Sequence, residues 1–173
     1  MPSSLTHPVI PIAIAIAAGR GRVGWALLAA GIAASVLPDI DFAGYWLRIP
    51  HESDFAHRGA MHSLCFALLV AAVGALCARH LRAAPGVAFA FILAAGASHG
   101  FLDMLTHGGR GVMYFWPFSG ERYFLPWQPL SSMPRSLTYG FHSDGAAALR
   151  AEVRWVWLPC LALAFAIRIG HRS

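Results

Sequence analysis

The sequence contains no lysine and little charge of either sign. All 13 basic residues other than histidine are arginines, and only 8 residues are acidic. Charged residues make up 12% of the chain, whereas soluble domains carry about 25%. The hydrophobic fraction is 57%. This composition disfavours a soluble globular domain and predicts an integral membrane protein.

Several motifs are also missing. The absence of GxSxG, Walker A and HExxH sequences removes several common enzyme classes. Cys65, Cys77 and Cys160 lie inside apolar runs without a CxxC pair, so we interpret them as packing or lipid-facing residues. The net charge of +5 comes from arginines scattered among helix ends. That distribution favours anchoring at a membrane surface, and no nucleic-acid partner is expected.

Five apolar segments predict the fold. They cover residues 8–19, 23–37, 63–78, 87–105 and 155–169. A straight span needs about 20 residues, so the fourth segment fits well, while the first two are short enough to form a hairpin that does not fully cross. We expect an all-α membrane protein. Its single domain, residues 1–173, would be a bundle of about five short transmembrane or membrane-embedded helices.

The loop at residues 106–154 is dense in aromatic residues, which disordered segments lack. They lie mainly in residues 114–118 (YFWPF) and 123–127 (YFLPW). Because Trp and Tyr favour the lipid headgroup region, we expect this loop to form a lid over one end of the bundle. An aromatic belt without substrate contact is the alternative.

The charge distribution predicts an orientation. Three short basic regions contain no acidic residue; their arginines are Arg20, Arg22, Arg79, Arg82, Arg168 and Arg172. All 8 acidic residues lie towards the opposite side. Short basic loops stay in the cytoplasm. We expect a multi-pass protein of a bacterial inner membrane, with its acidic, histidine-bearing side facing the periplasm or the cell exterior.

Histidine and aspartate residues gather at helix ends that alternating spans would bring to this side. His99 and Asp103 are four residues apart and share one helix face, which Thr106 and His107 would extend by a turn. A carboxylate in a membrane helix is costly and usually functional. A structural His–Asp hydrogen bond between helices is the alternative.

Two further acids follow Pro38, where the second helix must end. Asp39 and Asp41 would lie in an extended turn, where alternate carboxylates can bind one metal or bridge two. Solvated loop acids are the alternative. His7 lies on the same side. Glu152 opens the last segment. It would be a ligand, a partner of a ligand or a favourable charge at a helix N-terminus.

The third helix is expected to open with His57, Arg58 and His62. Imidazole is a common ligand of zinc and other transition metals. Arg58 cannot bind a cation, but it can hold a phosphate or a developing oxyanion. An interfacial arginine beside ordinary capping histidines is the alternative.

Together these stretches resemble the YdjM-like family of inner-membrane metal-dependent hydrolases. The matching residues are 6–7 (TH), 37–42 (LPDIDF), 57–63 (HRGAMHS), 98–106 (SHGFLDMLT), 116–119 (WPFS), 122–124 (RYF), and Glu152 ahead of 155–159 (WVWLP). The ligand order is also distantly similar to that of zinc-dependent phospholipase C and single-strand-specific zinc nucleases. This chain lacks the later His-x-x-x-Glu of that superfamily.

From the residues and this resemblance we expect a metal-dependent hydrolase that cleaves a phosphoester of a lipid or membrane-associated substrate. One or two divalent ions, expected to be zinc, would acidify a water and polarise phosphoryl oxygens. The expected ligands are His7, Asp39, Asp41, His57, His62, His99, Asp103 and Glu152. Arg58 and Thr106 are expected to serve catalysis, and Arg122, Tyr123 and Trp127 to contact substrate.

Two other functions remain open. The first is a non-enzymatic membrane protein with a structural metal or His–Asp network. The second is a metal or proton transporter, since intramembrane histidine and aspartate also mark ion paths. The polar residues cluster at one end of the helices, which disfavours a path through the membrane. The sequence gives no oligomeric state.

Overall fold

The computed structural model describes residues 2–132 and 143–171. The helices are α1 (Val9–Ala18), α2 (Trp25–Val36), α3 (Ala43–Trp46), α4 (Leu64–Leu76), α5 (Pro85–Met104), α6 (Ser143–Glu152) and α7 (Leu158–Gly170). Connecting turns are 3-10 helical at Leu37–Phe42 and Ala60–His62 and π-helical at Val153–Trp157. The short strands β1 (Thr106–His107) and β2 (Leu130–Ser131) pair in parallel. The predicted helical class is confirmed.

Three stretches of the described chain are long and apolar enough to cross a membrane. They are Trp25–Trp46, Pro85–Met104 and Gly145–Gly170, with mean hydropathies of 1.5 to 1.6. The apolar helices α1 and α4 are shorter. The protein is therefore a bundle of membrane-spanning and shorter embedded helices, as the unequal apolar segments predicted.

Helix α5 packs against both α2 and α4, while α1 packs against α7. Glycine allows the close approach of these helices. A methyl group at Gly31 would meet the ring of Phe91 at 2.3 Å, and one at Gly74 would meet the side chain of Ile92 at 2.2 Å. On the outer faces of α4 and α7, Leu76 is 88% and Ile169 is 69% exposed, as expected for side chains that contact lipid.

The alternating helix directions bring the candidate residues to one end of the bundle. His7 precedes α1, and α2 runs into the 3-10 turn that carries Asp39 and Asp41. His62 ends the turn before α4, and α5 reaches the same end at Met104. The basic turns after α1 and α4 lie at the other end.

Two local predictions about the candidate residues were wrong. Asp39 and Asp41 lie on a 3-10 helix instead of an extended turn, because Pro38 occupies its first turn, where no amide donor is needed. Arg58 does not open α4, since it has a φ of 65°. The helix starts only at Leu64, where the Ser63 hydroxyl caps it by accepting a 3.1 Å hydrogen bond from the Phe66 amide.

Two predictions about the long loop were also wrong. Thr106 does not extend the face of α5, because the helix ends at Met104 and Thr106 pairs with Leu130 instead. The loop is also shorter than residues 106–154, since α6 begins at Ser143. Residues 133–142 of the expected lid lie outside the described residues. The aromatic lid stays a prediction.

Candidate metal centre

The pair His99 and Asp103 lies one turn apart on α5, and both side chains are fully buried. Gly100 lies between them. A methyl group there would lie 2.5 Å from the carbonyl oxygen of His62, so glycine lets the 3-10 turn before α4 contact α5 directly. As a result, the Nε2 atoms of His62 and His99 lie 3.0 Å apart.

The orientation of His99 is fixed by the backbone of α2. Its Nδ1 atom lies 2.8 Å from the carbonyl oxygen of Ser35. A carbonyl can only accept, so Nδ1 carries the proton, and Nε2 of the neutral ring presents a lone pair. Metal-binding histidines are commonly held in this way.

Asp41 contacts two further imidazoles at their Nδ1 atoms. His57 Nδ1 lies 2.6 Å from its Oδ1 atom, and the Arg58 amide donates to Oδ2 at 3.2 Å. His62 Nδ1 is 3.1 Å from Oδ2, without the alignment of a hydrogen bond. This position suits a carboxylate that orients ligands. Direct metal binding by Asp41 stays a prediction.

Six of the predicted ligands form two adjacent triads of donor atoms. Within each triad the donor atoms lie within 4.8 Å of one another; the triads are His7, His99 and Asp103, and Asp39, His57 and His62. Short distances link them: His99 Nε2 to Asp39 Oδ1 is 3.5 Å, and His62 Nε2 to Asp103 Oδ2 is also 3.5 Å. Ligands of one tetrahedral zinc lie about 3.3 Å apart when their bonds are near 2.0–2.1 Å.

Many polar atoms of these triads have no hydrogen-bond partner among the described residues. They include both ring nitrogens of His7, both carboxylate oxygens of Asp39 and Oδ1 of Asp103. Each such buried group costs about 1–3 kcal/mol. Imidazole nitrogens with carboxylate oxygens are a donor set that divalent transition metals accept. A cation in the centre would satisfy them, so the residues fit a metal.

Burial also keeps His7 in the form that a ligand needs. The ring stacks on His99 with centroids 3.9 Å apart. Burial lowers the pKa of His7 from 6.5 to about 4, and nearby Asp103 offsets only part of this effect. Burial likewise lowers the pKa of His57 despite its bond to Asp41. At neutral pH His7 is therefore uncharged.

Arg58 borders the centre and is only 3% exposed. Its Nε atom donates to Asp103 Oδ2 at 3.1 Å, and Nη1 donates to the carbonyl oxygens of Arg110 at 2.8 Å and Gly108 at 3.3 Å. Its buried Nη2 atom finds no partner in the described part of the chain. In a guanidinium, Nη2 shares an edge with Nε, so this donor lies on the side that faces Asp103 and the triads.

Two predicted site residues make other contacts. Glu152 accepts hydrogen bonds from the amide and hydroxyl of Ser3 and from the hydroxyl of Thr6. It does not belong to either triad. The Thr106 hydroxyl donates to the carbonyl oxygen of Leu102 at 3.1 Å. The predicted roles of Glu152 as a ligand and of Thr106 in catalysis stay predictions.

The three predicted substrate-binding residues differ in their positions. Arg122 donates through Nη1 to the carbonyl oxygens of Arg58 and Gly111, at 3.3 and 3.2 Å. The Tyr123 hydroxyl contacts Ser119 and Glu121. Trp127 packs edge-on against Trp155, with ring centroids 5.0 Å apart. Of these three, Arg122 donates a hydrogen bond to Arg58, which borders the centre.

The sequence analysis missed three contributors. Ser35 acts through its backbone oxygen, so no residue type could have indicated it. Thr6 was noted only as the neighbour of His7, although its hydroxyl contacts both Glu152 and Trp157. Arg110 lies in a Gly-Gly-Arg-Gly sequence, and this mixture of flexible backbone and charge could have drawn attention to the loop.

The fold and the two triads define a helical membrane protein with a buried histidine–aspartate centre at one end of its bundle. The chain belongs to the YdjM inner membrane protein family, whose model matches residues 1–172. It is 35% identical over 164 residues to the inner membrane protein YbcI of Escherichia coli K12, covering 94% of this chain and 95% of that protein. No solved structure matches it. The predicted inner-membrane family is confirmed.

Proposed function

We propose that this protein is a metal-dependent hydrolase of the inner membrane that cleaves a phosphoester of a lipid or membrane-associated substrate. The two triads would hold one or two divalent ions, which we expect to be zinc. When bound, such an ion supplies an acidic water and a Lewis acid for a phosphoryl oxygen.

The observation that carries the metal proposal is the contact between His62 and His99. Their Nε2 atoms are 3.0 Å apart. His99 has its proton on Nδ1, opposite Ser35, and His62 Nδ1 faces the carboxylate of Asp41. The Nε2 atom of His99 therefore presents a lone pair towards His62. A cation there could bind Nε2 of both rings when His62 carries its proton on Nδ1, and Asp39 and Asp103 place carboxylates next to both.

The preference for a phosphoester comes from Arg58. Its buried Nη2 atom can donate to an anion beside the triads, where low polarity strengthens a charged hydrogen bond. The carboxylate of Asp41 orients His57 and holds the Arg58 amide, so it fixes these groups relative to one another. A site at the end of apolar helices suits a substrate whose remaining part stays in the membrane.

The test begins with metal analysis of protein purified in detergent, alongside His99→Ala. We expect one or two equivalents in the wild type and a loss in the variant. Release of phosphate or alcohol from a panel of phosphoesters is then measured before and after chelation and after return of zinc, manganese or iron. Turnover that persists without metal would contradict the proposal. Full metal occupancy without turnover on any phosphoester would favour a structural centre.

A further inference from the structure

We propose that Arg58 and Arg122 form an anion site next to the metal centre, which selects substrates that carry two adjacent phosphate groups. This inference rests on the proposed function, since one phosphate would occupy the metal triads and the other would contact Arg122. The chemical class is a diphosphate ester or a comparable compound with two linked phosphoryl groups.

The position of Arg122 carries the inference. Its Nη1 atom donates to the carbonyl oxygen of Arg58, which ties its guanidinium to the backbone of the residue that borders the centre. The same nitrogen donates to Gly111. Its Nη2 atom is buried and has no hydrogen-bond partner within the described ranges. Arg58 and Arg122 thus each have one buried N–H donor without a partner in the described ranges, and an oxyanion could accept a hydrogen bond from either of them.

The charges around these donors favour an anion. Burial lowers the pKa of Arg122, and repulsion by Arg110 and Arg58 contributes to the shift, against attraction by Asp54 and Asp41. Asp41 already accepts from His57 and from the amide of Arg58. Asp54 is exposed and accepts from the Trp116 indole at 3.2 Å. Arg58 pairs with Asp103, whereas the two carboxylates near Arg122 both have other partners.

The loop at residues 108–111 carries the positive charge of the site towards the protein surface. Arg58 is buried, Arg122 is half-buried and Arg110 is exposed, so positive charge extends outward from the metal centre. Gly109 has a φ of 73°, and a methyl group there would lie 3.7 Å from Arg58 Nη1. The carbonyl oxygens of Gly108 and Arg110 cover Nη1, so Nη2 is the Arg58 donor left for an anion. Arginine forks match phosphate oxygens in pairs, which suits consecutive phosphates along this line.

The experiment compares equilibrium binding of methylenediphosphonate and methylphosphonate, which cannot be hydrolysed, to the metal-loaded protein in detergent. We expect the wild type to bind the diphosphonate at least tenfold more tightly. Arg122→Gln should weaken diphosphonate binding about ten- to a hundredfold, as expected for loss of a hydrogen bond to a charged group, and weaken methylphosphonate binding much less. Arg122→Lys should lie between, because lysine keeps the charge without the fork.

Arg79→Gln is the matched control, since it removes the same charge from an exposed turn at the other end of the bundle. It should bind both ligands as the wild type does. Metal content measured after dialysis shows that the diphosphonate has not stripped the centre. Equal affinity of the wild type for the two phosphonates would overturn the proposal without any variant, and so would an equal loss of both in Arg122→Gln.

A further measurement distinguishes a lipid diphosphate from a soluble diphosphate as the ligand. Tighter binding of an alkyl ester of methylenediphosphonate than of the free compound indicates a lipid diphosphate, whereas equal binding indicates a soluble one, and both results support the anion site. The two proposals fail separately. Selective diphosphonate binding without phosphoester hydrolysis would refute the proposed hydrolase and keep the anion site, while hydrolysis of monophosphoesters without that selectivity would do the reverse.

Discussion

The carboxylate of Glu152 accepts a 2.5 Å hydrogen bond from the hydroxyl of Thr6. The partners are 146 residues apart in sequence, and both are fully buried. The Thr6 hydroxyl also accepts a 2.8 Å hydrogen bond from the Trp157 indole. Because Thr6 directly precedes His7, the last membrane segment holds the residue that brings His7 to the centre.

Replacing Glu152 should therefore act on the triad of His7. In Glu152→Gln one acceptor oxygen becomes a donor that faces the donors of Ser3 and Thr6. We expect the metal content or the metal affinity of this variant to fall towards the value for His7→Ala. Elemental analysis measures the content, and competition with a chelator measures the affinity. Thr6→Val should give a smaller change in the same direction. Wild-type metal binding with a lower melting temperature would contradict this role.

Loss of an α5 ligand should remove metal without unfolding the bundle. His99→Ala and Asp103→Ala delete donors from the first triad, whereas the packing of α5 rests on apolar residues such as Phe91 and Ala95. Elemental analysis and circular dichroism measure the two effects. Ser98→Ala is the control, since its hydroxyl donates to the Ala95 carbonyl within the same helix. Full occupancy in both ligand variants would show that these residues are structural.

Asp41→Asn should weaken metal binding without abolishing it. The amide keeps the shape of the side chain but loses the negative charge that faces His57 and His62. Loss of a carboxylate that orients metal-binding histidines typically costs about 10- to 100-fold in affinity or activity. Chelator competition measures the change, with Asp54→Asn as the matched exposed control. Complete loss of metal would instead indicate that Asp41 is itself a ligand.

Arg58→Ala should retain metal and lose turnover. Removing one such donor from a water-poor site typically costs about a hundred- to a thousandfold in rate, or about 2.7–4 kcal/mol of barrier. Arg58→Lys should recover only part of the rate, because lysine lacks the fork that reaches Asp103. Steady-state kinetics and metal content are measured on the same samples. Reduced thermal stability with unchanged turnover per folded molecule would assign Arg58 a structural role.

The centre should face the periplasm. Ser131→Cys lies towards the end of the bundle that holds the triads, and Gly21→Cys lies in the open basic turn after α1. With the three native cysteines replaced by alanine, an impermeant thiol reagent should label the first variant in intact cells and the second only after lysis. Labelling in the opposite order would place the centre in the cytoplasm.

Regular helices could be predicted from the sequence, together with the residues that they carry. The apolar segment at residues 87–105 predicted a helix with His99 and Asp103 on one face, and the observed α5 includes both. Pro38 also marked the end of α2 to within two residues. Both inferences depend on short-range geometry, which one chain segment determines by itself.

Contacts between distant segments could not be predicted in this way. The positive φ of Arg58 arises where Gly59 packs so closely that a methyl group would lie 2.0 Å from the Asp54 carbonyl oxygen. The bond between His57 and Asp41 needs that turn. Likewise, nothing in the sequence around Glu152 indicates its contacts with Ser3 and Thr6. In each case tertiary packing, not residue type, determines the contacts.

The position of Glu152 along the chain has a consequence for biosynthesis. Every member of the two triads lies at or before Asp103, so all of these donors have been synthesised when α5 is complete. Glu152 follows about 50 residues later, which at about 5–20 residues per second is an interval of several seconds. During that time nothing from the last membrane segment holds Thr6. The nascent chain thus acquires the donor atoms of both triads first and the restraint on His7 last, so we expect metal loading of the His7 triad to be completed only after the final helix has inserted.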